Sequence, residues 1–524
     1  MSPGTERSRM CPLRVDHRDH SGRPGRSAAL PVERQRSAQP WRVEVRIDPA
    51  GMAVASWSRM GQLRVSFDRG TLRLDGDVGA LGAAADDAIR FDARAGFHRA
   101  SSHLYTALLE HARERGLEVD DRVRAAWCVA RAPSAPPELR PYQEQALAAF
   151  ERLGRRGVIA LPTGSGKTRT ACAALARSGQ SAVVLVPTRV LLDQWISVLR
   201  AQFGDPIGAF GDGMRSVSRL TVMTFESAYR CLDRFGDRFA MVVVDEAHHF
   251  AGGARAEALE MCPAPMRLGL SATPPVPGSA GAERLRELIG PVVFQLEIAD
   301  LAGRDLAALE LVRLPVALTP AERAAYDDDI APFTSWRREL RRANPDADWL
   351  SCVQAIARVP GGAEVLARMH RARDLAAFPT AKRACVRALL ARHRSDRALL
   401  FTAAAAHAYA LAEQELIPVI TAEVARRERD AILAAFRERR VRAICSARVL
   451  NEGLDVPDAN VAIIIAGALG AREHVQRIGR ILRPGEGKRA IAYELVTLDT
   501  IDELRVRARR RSLVASRVTA GCRA

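Results

Sequence analysis

At 524 residues and 48% apolar, the chain is too long for a single hydrophobic core and too apolar for wholesale disorder, so roughly two to four globular domains are expected. A net charge of +17 points to a polyanionic partner such as nucleic acid, while no apolar run approaches the about 18 residues of a membrane span and no hydrophobic leader core argues for export. The nine cysteines never fall in a C-x2-C or similarly tight spacing, which argues against a structural metal or an iron–sulfur cluster and fits the reducing cytoplasm.

Residues 1–40 hold eight Arg, four acids, five Pro and three Gly without periodicity. They read as part of a disordered basic extension over 1–59, either a nucleic-acid arm or a dispensable segment with Met52 or Met60 as the functional start. Alternating LRVSF (63–67) and LRL (72–74) around Asp68-Arg-Gly predict a hairpin, a helical stretch follows at 102–115, and Pro133, Pro136 and Pro137 mark a boundary. A small α+β domain is expected over 60–131.

From residue 139 onward, short apolar strands alternate with helical segments, at 157–161, 182–186, 220–223, 241–244 and 268–270. The rhythm returns at 398–401, 419–420, 443–445, 461–465 and 491–495. It predicts two doubly wound lobes, 139–309 and 310–500, each a parallel sheet covered by helices on both faces. A helical insertion is expected at 319–378 and a basic tail at 501–524. The insertion contains SWRRELRR (335–342), whose arginines beside a tryptophan suit either a grip on a phosphate backbone or a solvated helix face; both readings stay open.

Three segments carry chemistry. LPTGSGKT (161–168), between a strand and a helix, makes a phosphate cradle: the backbone of Thr163, Gly164, Ser165 and Gly166 presents N–H groups at a helix N-terminus, Lys167 reaches the β- and γ-phosphates, and the Thr168 hydroxyl ligates Mg²⁺. Leu161 stands where the general pattern has Gly. Only Lys167, Lys382 and Lys488 are lysines among the 78 basic residues, so in a chain whose default base is Arg, a Lys in the cradle marks a need for a compact charge on a flexible stem. The strand MVVV (241–244) ends in Asp245-Glu-Ala-His248, where Asp245 would share Mg²⁺ with Thr168 and Glu246 would polarise the attacking water. In QRIGRILR (476–483), Arg477, Arg480 and Arg483 recur every third residue, and insertion of Arg480 and Arg483 as arginine fingers would make hydrolysis depend on lobe closure.

In this order and company the segments resemble those of superfamily 2 helicases of the DEAH-box type, over about residues 139–500. The likeness runs through LRPYQ (139–143), the cradle, VPTR (186–189), TFE (224–226), DEAH (245–248), SAT (271–273), LFT (400–402), 446–455 and 476–483. Within that superfamily it is most similar to the bacterial XPB-like DNA helicases, on LRPYQ, the lobe spacing and VLNEGLDVP (449–457), with FDARAGFHRA (91–100) resembling the segment that precedes the motor and serves as a damage-recognition domain. The resemblance implies two tandem RecA-like P-loop lobes, ATP and Mg²⁺ as cofactors, and 3′–5′ movement on single-stranded or duplex DNA, with a repair or nuclease protein as a candidate partner. It further implies that Arg140 and Gln143 read adenine, Gly453 and Asp455 sense the γ-phosphate, Thr188, Arg189, Thr224 and Ser446 contact the nucleic-acid backbone, Ser271 and Thr273 couple hydrolysis to motion, and His248 and Gln476 bond across the cleft. One departure concerns strand separation: XPB proteins carry an Arg-Glu-Asp element shortly after SAT, where this chain has PPVPGSAG (274–281). A DEAH-type RNA helicase, a motor subunit of a restriction or defence complex, and a scaffold with a dead ATPase are the competing readings.

Overall fold

The structure is a computed structural model and describes residues 41–47, 53–59, 61–82, 87–128, 137–204, 206–345, 347, 349–447, 459–466, 489–504 and 506. The chain divides into two compact units, one ending at Met60 and one beginning at Gly61. In the first, β1 (Trp41–Ile47) and β2 (Ala53–Arg59) pair antiparallel, from Trp41 opposite Arg59 to Ile47 opposite Ala53. Over 41–47 and 53–59 this departs from the disordered extension expected for 1–59, while residues 1–40 and 48–52 lie outside the described residues. Trp41, Val43, Val45 and Ile47 alternate with Arg42, Glu44 and Arg46 at the two-residue period of a strand, a signal masked by the charge and proline content upstream.

The second unit starts with a small α+β domain. Its strands β3 (Gln62–Asp68), β4 (Thr71–Gly76), β5 (Ile89–Asp92), β6 (Phe97–Ser101) and β7 (Glu118–Asp121) lie in the order β5-β6-β4-β3-β7, with β3–β7 parallel and the rest antiparallel. Alternation places Leu63, Val65, Leu72 and Leu74 on one face, where they bury Tyr105, Leu108, Leu109 and Ala112 of the helix Tyr105–Glu114. The β3–β4 turn carries Arg69 and Gly70 at positive φ (47° and 82°), the backbone a two-residue hairpin requires. Gly70 abuts the Met261 side chain, and Ser101 Oγ donates to Glu260 O, so this domain docks on the next. His103 is buried there beside Glu287, and burial together with the Arg267 charge pushes its pKa down to about 4.

The first lobe holds β8 (Arg156–Ala160), β9 (Ala182–Val186), β10 (Ile207–Gly211), β11 (Met214–Ser216), β12 (Leu220–Thr224), β13 (Met241–Val244), β14 (Met266–Ser271) and β15 (Val292–Gln295), ordered β11-β10-β12-β9-β13-β14-β8-β15. Every pairing is parallel except β10–β11. The second lobe holds β16 (Ala308–Val316), β17 (Ala398–Thr402), β18 (Val419–Ile420), β19 (Ala443–Ala447), β20 (Val461–Ile464) and β21 (Arg489–Thr497), all parallel in the order β16-β21-β20-β17-β19-β18. These are two RecA-like lobes behind a small α+β domain. Helices Pro320–Ala343, Trp349–Ala357, Gly362–Ala377 and Thr380–Arg392 separate β16 from β17. The first begins with a capping box between Thr319 and Glu322, and although burial raises the Glu322 pKa, N–H and hydroxyl donors from Thr380 and Thr319 bring it down to about 2.

Among the described residues, each lobe buries one base completely. In β14, Arg267 gives its guanidinium to the carbonyls of Ala264, Leu259, Leu288 and Cys262, and burial lowers its pKa to about 10. In the second lobe, Lys382 donates to Ile465 O at 2.6 Å and to Asp502 Oδ2 at 2.7 Å.

Candidate functional site

Parallel register aligns the strand ends of the first lobe: Thr224 lies opposite Val186, Val244 opposite Leu185 and Gly269, and Ser271 opposite Ala160. The loops that follow β8, β9, β12, β13 and β14 therefore leave one edge of the sheet, the carboxyl edge at which open α/β sheets bind ligands. They carry 161–168, 186–189, 224–226, 245–248 and 271–273.

The cradle is shaped by two left-handed glycines, Gly164 (φ 87°) and Gly166 (φ 82°), the second capping the helix Lys167–Ser178. A Cβ at 166 would lie 2.5 Å from Gln143 Nε2, so both backbone and space demand glycine. The cradle is braced from behind. Tyr142 Oη donates to Ser165 O at 2.6 Å, Gln143 Nε2 donates to the same carbonyl at 2.8 Å, and Ser165 Oγ donates to Pro162 O at 2.7 Å. Gln143 Oε1 accepts from Arg140 N, and Arg140 Nη1 donates to Asp305 O, so this pair holds the loop in place. Lys167 Nζ rests on Leu161 O at 3.2 Å. Leu161 itself is buried and extends the strand, its N–H donating to Ser271 O, which is why the residue there need not be glycine.

The acidic loop is held as firmly. Asp245 is 6% exposed; its Oδ2 accepts from Trp195 Nε1 at 2.9 Å and its Oδ1 from Glu246 N at 3.0 Å. Glu246 sits in the left-handed region (φ 50°), a conformation that costs a non-glycine residue on the order of 1 kcal/mol and is characteristic of functional turns. His248 Nδ1 lies 3.5 Å from Glu246 Oε2 and 3.3 Å from Ser271 Oγ, and Ser271 Oγ in turn accepts from Thr273 N at 3.1 Å. Glu246, His248, Ser271 and Thr273 thus form one polar line joining the loops after β13 and β14. The Thr163 and Thr273 hydroxyls are buried without a hydrogen-bond partner in the described structure. The site accordingly offers a glycine-shaped cradle with an orphaned hydroxyl and two hard oxygen donors, Thr168 and Asp245, a set that fits a polyphosphate and Mg²⁺.

Thr188 and Thr224 cap the helices Arg189–Phe203 and Phe225–Phe235, accepting from Leu191 N and Ser227 N, so both hydroxyls stand at helix N-termini on the same edge. Arg189 pairs with Asp212, which also receives Arg426 of the second lobe, while Arg426 bridges on to Asp193. Ser446 belongs to the second lobe. It is fully buried in β19 and donates to Ile420 O at 2.9 Å. Gly453, Asp455, Gln476, Arg480 and Arg483 lie outside the described residues. Sequence reasoning did not single out Trp195, or Tyr142 beyond its place in LRPYQ, because nothing in their spacing announces a polar partner.

Three stretches of the chain match known families. Residues 65–123 match the family described as the xeroderma pigmentosum group B helicase damage recognition domain, 136–276 the res subunit of type III restriction enzymes, and 366–518 the ERCC3/RAD25/XPB C-terminal helicase. The DNA 3′-5′ translocase XPB2 of Sulfurisphaera tokodaii is 34% identical over 377 residues, covering 71% of this chain and 84% of that protein. The chain belongs to the XPB family of superfamily 2 helicases. Other XPB proteins extend further: the chain spans 62% of the DNA 3′-5′ helicase XPB of Mycobacterium tuberculosis, at 29% identity, and 57% of the putative DNA 3′-5′ helicase Rad25 of Halobacterium salinarum, at 31%. Among solved structures, the Hef helicase domain of Pyrococcus furiosus covers 71% of this chain at a TM-score of 0.49 and 18% identity.

Proposed function

We infer that this XPB-family chain is an ATP-dependent DNA helicase or translocase moving 3′ to 5′. One observation carries the reading: cradle, acidic loop and the polar line from Glu246 to Thr273 converge on one sheet edge. In this assignment residues 163–168 hold the triphosphate, Thr168 and Asp245 hold Mg²⁺, and Arg140 and Gln143, which brace the loop, meet the adenine. Bound Mg²⁺ supplies charge neutralisation at the transferring phosphoryl. Glu246 accepts the proton of the attacking water. His248 and Ser271 carry the position of that carboxylate to Thr273 and so to the loop after β14. Gly453, Asp455, Gln476, Arg480 and Arg483 complete the site from the second lobe, and Thr188, Arg189 and Thr224 take the DNA backbone.

The same reading assigns residues 60–131 a damage-recognition role, retains the DEAH-box subdivision on the residues 245–248 themselves, and puts the protein in the cytoplasm, in keeping with the seven described cysteines all being free thiols. No helix among the described residues is long and apolar enough to cross a membrane. A motor of the restriction type is favoured only by the match over 136–276, whereas the segments before and after it match XPB descriptions.

The test is ATPase rate with single-stranded DNA, duplex DNA and RNA in parallel. DNA is expected to stimulate more than RNA, and binding is expected to weaken with salt at a log–log slope of about −0.9 per phosphate neutralised on duplex or −0.7 on single strands. Stimulation by RNA alone, or affinity indifferent to salt, would defeat the DNA assignment.

A further inference from the structure

The helix Arg189–Phe203 presents Leu192, Trp195, Ile196 and Leu199 to the buried face of the first lobe, the three- and four-residue spacing of an amphipathic helix on its core. Packing explains the three aliphatic residues completely. It does not explain the fourth. Trp195 is 1% exposed, and its single polar atom ends 2.9 Å from Asp245 Oδ2, on the one carboxylate of this edge assigned to the metal. The fold does not furnish acceptors to indoles by default, since the buried Trp127 Nε1 has no partner in the described structure.

The consequence for Asp245 follows from counting donors. A carboxylate can turn about its Cβ–Cγ bond through a broad, shallow well. Here each oxygen carries one fixed donor, the indole N–H on Oδ2 and the Glu246 backbone N–H on Oδ1, which pins the plane of the group and leaves the remaining lone pairs for a cation and its water. A neutral donor also suits this place better than a basic one would. It orients the carboxylate without cancelling the negative charge on which a divalent cation depends.

We propose that Trp195 is a positioning residue for Mg²⁺ binding, acting through Asp245, an inference that rests on the nucleotide-site reading above. Trp195→Phe deletes the N–H while keeping an aromatic ring in the core, and benzothienylalanine introduced at position 195 deletes it with the indole shape preserved. Both are expected to raise the Mg²⁺ concentration for half-maximal ATPase by about 10- to 100-fold, with a smaller fall in rate at saturating Mg²⁺. Mn²⁺ affinity in the presence of a non-hydrolysable ATP analogue, followed by electron paramagnetic resonance, should weaken by a similar factor without any turnover. Leu199→Ala is the packing control: it lowers Tm and leaves both metal readouts where they were. Unchanged metal affinity in the benzothienyl protein overturns the proposal. Wild-type protein without Mg²⁺-dependent ATPase would remove the nucleotide-site reading instead.

Discussion

The two lobes share a plan of parallel strands, covering helices and, among the described residues, one fully buried base, yet they contribute to the site in different ways. In the first lobe the residues assigned to nucleotide and metal sit on loops that follow adjacent strands, so once the sheet forms its register brings them together. In the second, the described residue assigned to the site, Ser446, is buried in β19, and the other assigned residues follow β19 and β20. The difference teaches where each function resides. In the proposed assignment, binding and water activation belong to a preassembled edge, and what the second lobe adds makes hydrolysis depend on lobe movement.

The largest expected effect tests that division directly. Lys167→Ala should lose ATP affinity and turnover together, whereas Arg480→Ala or Arg483→Ala should lose turnover on the order of 10³-fold with ATP affinity nearly intact. Glu246→Gln should bind ATP normally and hydrolyse it about 10²- to 10⁴-fold more slowly. Nucleotide-binding titrations beside steady-state ATPase separate the classes, and equal losses of affinity and rate at the arginines would erase the contrast.

A smaller effect compares the two buried bases. Lys382→Met strands Asp502 without its cation and should cost about 3–5 kcal/mol by denaturant unfolding, most of it recovered when Asp502→Leu is added. Arg267→Met should also destabilise, but its partners are four carbonyls, so no second-site replacement of an acid can rescue it. Equal rescue in both lobes would show that the carbonyl cage is not the reason Arg267 tolerates burial.

The smallest effect lies at the contact between the α+β domain and the first lobe. Burial, with help from Arg267, depresses the His103 pKa to about 4, so between pH 6.5 and 4 the unfolded chain binds a proton that the folded one refuses. The stabilisation tied to neutral His103 is present above pH 6.5 and is lost as pH falls toward 4. Tm measured across this window should decline less steeply in His103→Gln than in the parent protein.

How much the sequence disclosed tracks how local the signal was. Strands β8, β9, β12, β13, β14, β17, β18, β19, β20 and β21 were legible because each is a short apolar run, and the cradle and acidic loop because their residues are contiguous. Strand β10 was not: two of its five residues are glycines, and at 208 a Cβ would lie 2.6 Å from Ser218 N and Thr221 Oγ1. Strand β16 alternates with charge and carries Pro315, both permitted by its place at a sheet edge. The Trp195–Asp245 bond joins residues fifty apart and needs the assembled sheet before it exists.

The scarcity of lysine gives the protein an unusual reagent profile. Lys382 is sealed in the second lobe, leaving Lys167 and Lys488 with the chain's own α-amino group as the primary amines beyond it. An acylating label of the kind that modifies dozens of sites on an ordinary protein of this size would here be confined to those few amines, one of them in the phosphate cradle. Its loss of yield at Lys167 on adding nucleotide would make amine chemistry a direct occupancy gauge.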